Sequence, residues 1–340
     1  MRACLAGCLC PTLFSKPPSP SAPGQGPQAM PHGSSRLHVV LGHLGGRSPN
    51  SDGPACAPCS SSPSQAVPNS EQVVAITGCT SGLGLNLALE FMRLGFRVAG
   101  CGRRSEHINE LNKAHSAQGS MFYVADASKE ADVKAWSEAV LAKFGRVDVL
   151  CNNAGLGPGG QLPWQMDGER FGQVLDTNVR GVFYGCKYFI PSMLKDLADN
   201  PGRGVIKRVI NTSSGVGHST SPMAADYSAS KWGVEAYSKS VAQGFHLLRD
   251  HTKDEKERAA CSQILCVPLA PGVIETEMNT MKNLPTAAVW CKSAVPFIMS
   301  IPISESGSSL TVPGFYGKEY MASWAIPDGL RLPGKWVMPS

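Results

Sequence analysis

The chain has no apolar run approaching the ~20 residues that cross a bilayer, so no membrane-spanning helix is expected. Acid is scarce at its start: residues 1–70 carry Asp52 alone against Arg2, Lys16, Arg36 and Arg47. That leaves +2 of the formal net charge of +5 for everything after residue 70 (5 minus the leader's 4 − 1 = 3). No basic stripe interleaved with aromatics appears, and nucleic acid is not an expected partner. The cysteines beyond residue 70 (Cys79, Cys101, Cys151, Cys186, Cys261, Cys266 and Cys291) sit mainly in apolar segments without metal-ligand spacing. This excludes a zinc cluster and a disulfide framework there, and reads as reduced, buried thiols. Cys56-Ala-Pro-Cys59 has the spacing of half a zinc site, but no second pair lies nearby.

Residues 1–70 hold 12 of the 26 prolines and 5 of the 12 cysteines, a composition that cannot build a core. A Ser/Pro/Gly-rich, acid-poor, mildly basic leader resembles an organelle transit peptide, and a disordered tail without targeting value has nearly the same composition. The expectation is a plastid or mitochondrial location, with the cytoplasm as the alternative. Residues 71–312 then have the length of one large α/β domain. An aromatic, Gly/Pro-rich tail follows over 313–340, with Phe315, Tyr316, Tyr320, Trp324 and Trp336.

Short apolar runs alternate with helical patterns through the domain: Val73 to Thr77, Phe96 to Cys101, Met121 to Val124, Val147 to Cys151, Val205 to Asn211, Gln263 to Val267 and Ser309 to Val312. Strands separated by helices imply a seven-stranded parallel sheet covered on both faces, a doubly wound sandwich of Rossmann type. After the first run comes Thr77-Gly78-Cys79-Thr80-Ser81-Gly82-Leu83-Gly84, then a helical pattern. Glycines there let the backbone turn tightly and approach a pyrophosphate, and the N–H groups opening the next helix favour an anion. The order strand, turn, helix is what separates this from an ordinary loop.

Tyr227 and Lys231 are four residues apart, one turn on the same helical face, and Ser214 lies thirteen residues before Tyr227. A cation beside a phenol is expected to lower its pKa toward working pH and make it a usable proton donor or acceptor. By itself this spacing also fits a half-buried aromatic beside a solvated cation.

Thr-Gly-x-x-x-Gly-x-Gly at 77–84, Asn152-Asn153-Ala154-Gly155, Asn178 in Asp-Thr-Asn-Val, Ser213-Ser214, Tyr227-x-x-x-Lys231 and Pro271-Gly272-x-x-x-Thr276 follow the order and spacing of the short-chain dehydrogenase/reductase family. The chain resembles that family over roughly residues 71–312. The resemblance implies that Tyr227 donates a proton to a substrate carbonyl as hydride arrives from a nicotinamide. It implies that Lys231 lowers the Tyr227 pKa and binds the nicotinamide ribose, and that Ser214 polarises the carbonyl. Ser213, facing the other way in an extended segment, is then structural. Asn178 would anchor a water in a proton relay to Lys231 or satisfy a helix kink. For the cofactor, the resemblance implies contacts from Thr77, Gly78, Thr80, Ser81, Gly82, Leu83 and Gly84. Asp126 would meet the adenine, although Asp is also a good N-cap for a helix from about Lys129. Asn152, Ala154 and Gly155 would form the floor under the adenosine ribose, and Pro271, Gly272, Val273 and Thr276 would flank the nicotinamide.

In the family an acid ending the second strand holds the 2′,3′-hydroxyls of NAD; here Gly102 stands at that place, eighteen residues past Gly84, followed by Arg103 and Arg104. Two guanidinium groups suit a 2′-phosphate, so NADPH is expected. The segments around Ser214, Tyr227 and 307–312 are similar to the plant and cyanobacterial branch that includes an NADPH-dependent pterin aldehyde reductase, which makes a small or planar carbonyl compound the expected substrate. The same residues would serve an NADP-dependent alcohol dehydrogenase or a 3-oxoacyl-thioester reductase, and a non-catalytic NADP(H) sensor is the remaining alternative. The family resemblance also implies a homo-oligomer, a dimer or tetramer.

Overall fold

The computed structural model describes residues 68–276 and 284–315. Apart from Pro68–Ser70 and Pro313–Phe315, the expected leader and tail lie outside the described residues, as do residues 277–283.

Seven strands form one parallel sheet: β1 (Val73–Thr77), β2 (Arg97–Gly102), β3 (Met121–Val124), β4 (Val149–Asn152), β5 (Lys207–Thr212), β6 (Ile264–Ala270) and β7 (Leu310–Thr311), in the spatial order β3-β2-β1-β4-β5-β6-β7. The expected doubly wound α/β sandwich is therefore the observed one. Every residue of β1 and β6 is buried, which is why these strands read as unbroken apolar runs rather than alternating ones. Eight α-helices cover the faces: α1 (Gly82–Arg93), α2 (Ser105–His115), α3 (Glu130–Phe144), α4 (Gly168–Leu175), α5 (Gly181–Asp199), α6 (Ala225–His251), α7 (Glu255–Cys261) and α8 (Ala287–Ser300). Leu87 and Phe91 of α1, Ile108 of α2 and Trp290 of α8 bury on one face. Trp136 of α3, Phe189 of α5 and Val234 of α6 bury on the other, with Trp136 edge-on to Phe189 at 4.9 Å.

From β1 the chain winds outward through β2 and β3, then returns to lay β4 on the other side of β1. Connections leaving the carboxyl ends of β1 and β4 diverge, opening the crevice where such sheets bind ligands. The amino ends are pinned by a buried ionic cluster. Arg146 Nη2 lies 2.5 Å from Asp148 Oδ1, Lys207 Nζ lies 2.6 Å from Asp196 Oδ2, and Asp148 Oδ2 accepts from the β1 amide of Val73 at 2.9 Å. One end of the sheet is thus locked by paired charges while the other faces the crevice.

One expectation about a helix end changes. Asp126 does not cap α3: its Oδ1 accepts from Ser128 N at 3.0 Å and Ser128 Oγ at 2.8 Å, closing an Asx turn two residues too early, and Lys129 occupies the cap position. Further on, residues 249–258 do not form one continuous helix. α6 stops at His251, and Asp254, accepting from Lys256 N at 2.8 Å, opens α7 as a separate helix.

Candidate active site

The glycine turn between β1 and α1 is tightly packed. Gly78 has φ +71°, and a Cβ there would come within 2.8 Å of Ala154 Cα; one on Gly84 would come within 2.2 Å of Gly78 O and 2.4 Å of Asn153 Nδ2. Gly82, at φ +54°, faces open space. Ser81 at the α1 N-cap makes no side-chain capping bond, so the first amides of the helix stay available to an anion. Backbone this close, with free amides and no intruding side chain, fits the pyrophosphate of a dinucleotide. Thr77 itself is a brace: its Oγ1 accepts from Asn153 N at 2.9 Å and Ala154 N at 3.0 Å, tying β1 to the β4 exit. Thr80, Ser81 and Leu83 are half-buried along the turn.

At the end of β2 a Cβ on Gly102 would lie 2.6 Å from Thr80 Cγ2, so the place of the expected acid has no room for a side chain. Arg103 and Arg104 are exposed, and Arg104 Nε donates to Thr80 Oγ1 at 3.3 Å. His107 Nδ1 lies 3.2 Å from Thr80 O, and a groove of about 440 Å³ runs along Thr80, Ser81, Gly82 and His107. Asp126 is half-buried after β3, its amide donating to Asp132 Oδ2 at 2.9 Å.

Asn152 corrects the expected ribose floor. Its side chain is 2% exposed and turned into the sheet, donating to Asn211 Oδ1 at 2.8 Å, and a Cβ on Gly185 of α5 would meet its Oδ1 at 2.0 Å. The alternation of a strand sends the Asn152 side chain inward, where it ties β4 to β5. Asn153, quoted only as part of the motif, does more at the surface: its Nδ2 donates to Thr77 O at 3.0 Å. Ala154 and Gly155 follow half-buried, Gly155 against Asn178 Oδ1. Pro271, Gly272 (φ +81°) and Val273 leave β6 at the same edge. Gly272 lies so close to the Phe315 carbonyl that a Cβ would meet it at 2.1 Å, so the first residues of the tail lie against this loop. Thr276 closes the described part of the loop.

Ser214, Tyr227 and Lys231 come together beyond the carboxyl end of β5. The Ser214 hydroxyl faces the Tyr227 phenol closely enough to act on its proton. The Lys231 amine sits 5.4 Å from the centre of the Tyr227 ring and donates to Thr212 O at 2.7 Å. The expected depression of the Tyr227 pKa is not found. Burial pushes the phenol up, the Ser214 hydroxyl offsetting part of this. Burial also pulls Lys231 down to about 8, with the charge of Glu235 working in the opposite direction. Desolvation outweighs attraction here because the ammonium's near neighbour is a neutral carbonyl.

Ser213 is structural as expected, its hydroxyl donating to Glu235 Oε1 at 2.5 Å. Asn178 lies in a π-helical turn, Asp176–Arg180, between α4 and α5, the type of local irregularity that often marks functional sites. Its Oδ1 accepts from Leu156 N at 2.7 Å, and its Nδ2 donates to Leu156 O at 2.9 Å and Ser230 Oγ at 2.9 Å. These bonds tie the π-helical turn to the β4 exit loop and to α6 rather than to backbone groups of the turn itself. Asp226, fully buried beside Tyr227, carried no expectation: it accepts from Gly159 N at 3.1 Å and Tyr227 N at 2.7 Å, fastening the β4 exit loop to the start of α6. Only the adjacency to Tyr227 could have drawn attention to it.

A family model described as short chain dehydrogenase matches residues 72–286. The chain is 33% identical over 248 residues, 71% of its length and 93% of the relative, to the NADPH-dependent pterin aldehyde reductase of Arabidopsis thaliana. It is 34% identical over 213 residues, 61% of its length and 76% of the relative, to the 2-(R)-hydroxypropyl-CoM dehydrogenase of Xanthobacter autotrophicus. Among solved structures, 3-ketoacyl-(acyl-carrier-protein) reductase from Brucella melitensis complexed with NADH superposes with a TM-score of 0.60 at 29% identity, covering 71% of this chain and 96% of that one. The chain belongs to the short-chain dehydrogenase/reductase family. It is an oxidoreductase acting on CH–OH or C=O groups of small molecules with a nicotinamide cofactor, and among the described residues no helix is long and apolar enough to cross a membrane.

Proposed function

We propose that this protein is an NADPH-dependent carbonyl reductase whose substrate is a small or planar aldehyde or ketone, a pterin aldehyde among the candidates. The observation that carries the reading is the convergence of Ser214, Tyr227 and Lys231, with the Ser214 hydroxyl acting on the Tyr227 phenol and the Lys231 amine 5.4 Å from the centre of its ring. A bound nicotinamide dinucleotide supplies the hydride. Ser214 holds the carbonyl oxygen, and Tyr227, which burial keeps protonated, gives that oxygen its proton. Lys231 presents its charge to the ribose hydroxyls. A phenol kept protonated by burial is the form that a reduction consumes. The intact set of Ser214, Tyr227 and Lys231 disfavours a non-catalytic sensor, and no basic patch for an acidic carrier supports a thioester reductase.

NADPH over NADH is supported by the space closed at Gly102 and by the paired guanidinium groups of Arg103 and Arg104 beside Thr80. The relatives do not agree on this point, one being named for NADPH and one having been crystallised with NADH. Pterin aldehyde is supported by the Arabidopsis relative's name and by Trp232, half exposed 6.5 Å from His218, two flat rings near the catalytic helix face. A homo-oligomer, the division at residues 70 and 312, and import into a plastid or mitochondrion complete the proposal, the last resting on leader composition. The test is consumption of NADPH and NADH by the full chain against aldehydes and ketones including 6-formylpterin. Turnover preferring NADPH is expected; turnover with NADH alone would refute the assignment of the 2′-phosphate.

A further inference from the structure

We infer that Glu235 is a positioning residue of this active site, a buried carboxylate one helical turn beyond Lys231 that keeps the Lys231 amine charged. The inference rests on the reading of Tyr227 and Lys231 given above. Both Glu235 and Lys231 lie on the inner side of α6, 3% and 4% exposed. Four-residue spacing on a helix makes their side chains neighbours.

Everything that faces Glu235 is a donor. From the end of β5, Ser213 Oγ donates to Oε1 at 2.5 Å; from the short turn after it, His218 Nε2 reaches the same oxygen at 3.0 Å; from the approach to β7, Ser309 Oγ donates to Oε2 at 2.5 Å. On its own helix Lys239 approaches Oε2 at 3.7 Å from a half-exposed position, and Lys231 lies one turn before it. Lys231 in turn faces the Thr212 carbonyl, the Tyr227 ring and Glu235. Hydroxyls and an imidazole around a buried carboxylate replace the water it has lost. Neither hydroxyl carries a charge and Lys239 is half exposed, so Glu235 acts through a low dielectric on Lys231, the buried amine one turn away. Gly217 completes the fit: a Cβ there would press on Ser213 Oγ at 2.9 Å and Glu235 Cγ at 3.1 Å.

A purely structural role would also explain the three hydrogen bonds, since Glu235 joins β5, the turn and β7. The two roles separate on titration. Burial draws the Lys231 proton off, and the Glu235 charge opposes that loss. Removing the charge must lower the pH at which Lys231 deprotonates, whereas removing one hydrogen-bonding partner must not.

The experiment follows the side-chain Cε resonances of lysine-labelled full-length protein against pH, with Lys231 identified by its absence in Lys231→Arg. Glu235→Gln should shift the Lys231 midpoint down by roughly one pH unit, a tenfold loss of proton affinity. Ser309→Ala, which removes a partner and keeps the charge, should leave it in place. Glu235→Asp, which withdraws the charge by one methylene, should shift it in the same direction by less, and this variant decides the matter if the glutamine one does not fold. An unmoved midpoint in the folded charge-altered variant, or an equal shift in Ser309→Ala, would overturn the inference. Tyr227→Phe is run in parallel for turnover of NADPH with the best carbonyl of the panel. Retained turnover there would remove the catalytic reading itself, while lost turnover with an unmoved Lys231 midpoint would remove the role of Glu235 alone.

Discussion

Two lysines are almost wholly buried at opposite ends of the sheet, and their partners differ in kind. Lys207, at the amino end of β5, is 0% exposed and reaches Asp196 Oδ2 at 2.6 Å, Val147 O at 2.6 Å and Asp148 Oδ1 at 3.5 Å. Lys231, beyond the carboxyl end of the same strand, is 4% exposed and donates to one neutral carbonyl, Thr212 O. Lys207 is held by charges of opposite sign in contact. Lys231 is held at a cost, its affinity for a proton reduced to about 8 by burial. Similar burial thus serves architecture where opposite charges touch and chemistry where the counter-charge stands one helical turn away.

Replacement by methionine sharpens this contrast most. Lys207→Met leaves Asp148 and Asp196 with Arg146 as their remaining buried cation and should cost about 3–5 kcal/mol of stability, the usual penalty for breaking a buried pair. Lys231→Met should unfold no earlier than the parent at neutral pH, and by up to about 3 kcal/mol later, because a desolvated ammonium is removed. It should also lose turnover. Denaturant unfolding of both variants checks the pair, and equal destabilisation would erase the distinction.

The pH dependence follows with its sign. Lys231 releases its proton at about 8 when folded, against 10.5 for a lysine in water. Between those values the unfolded chain holds more protons, so the Lys231 contribution to stability rises with pH across that window. Activity that needs the ammonium falls over the same range. Unfolding midpoints of the parent minus those of Lys231→Met, taken from pH 7 to about 10, should shrink steadily; a constant difference would contradict the assignment.

Smaller effects are expected where the site meets solvent. Replacing Arg103 and Arg104 together by Ala should weaken NADPH roughly tenfold or more, near 1.4 kcal/mol, and leave NADH nearly unchanged. Fluorescence titration with both nucleotides measures it. Asp226→Ala removes the acceptor of both Gly159 N and Tyr227 N, and steady-state kinetics should show KM raised and kcat lowered by a few-fold each.

Elements built on periodicity and on backbone geometry were legible in the chain. Seven apolar runs became seven strands because strands buried on both faces tolerate almost nothing else, and Gly78 and Gly84 sit where a single Cβ would collide with neighbouring backbone. What escaped depends on which way a side chain turns and what it meets from far along the sequence. Asn152 points inward to Asn211, Asp226 reaches back to Gly159, and Glu235 gathers Ser213, His218 and Ser309. The direction of the Tyr227 shift was misjudged for the same reason: spacing shows that the two side chains meet, whereas the loss of water that governs the phenol's proton comes from the whole fold around it.

The most direct test of the catalytic account is Tyr227→Phe, which removes one oxygen from the Ser214, Tyr227 and Lys231 group. The two proteins would be compared in turnover of NADPH with the carbonyl panel and in NADPH affinity by nucleotide fluorescence. The account predicts a loss of turnover on the order of a hundredfold or more, the usual worth of a positioned proton donor, with affinity nearly unchanged. Turnover preserved in the phenylalanine variant would contradict it.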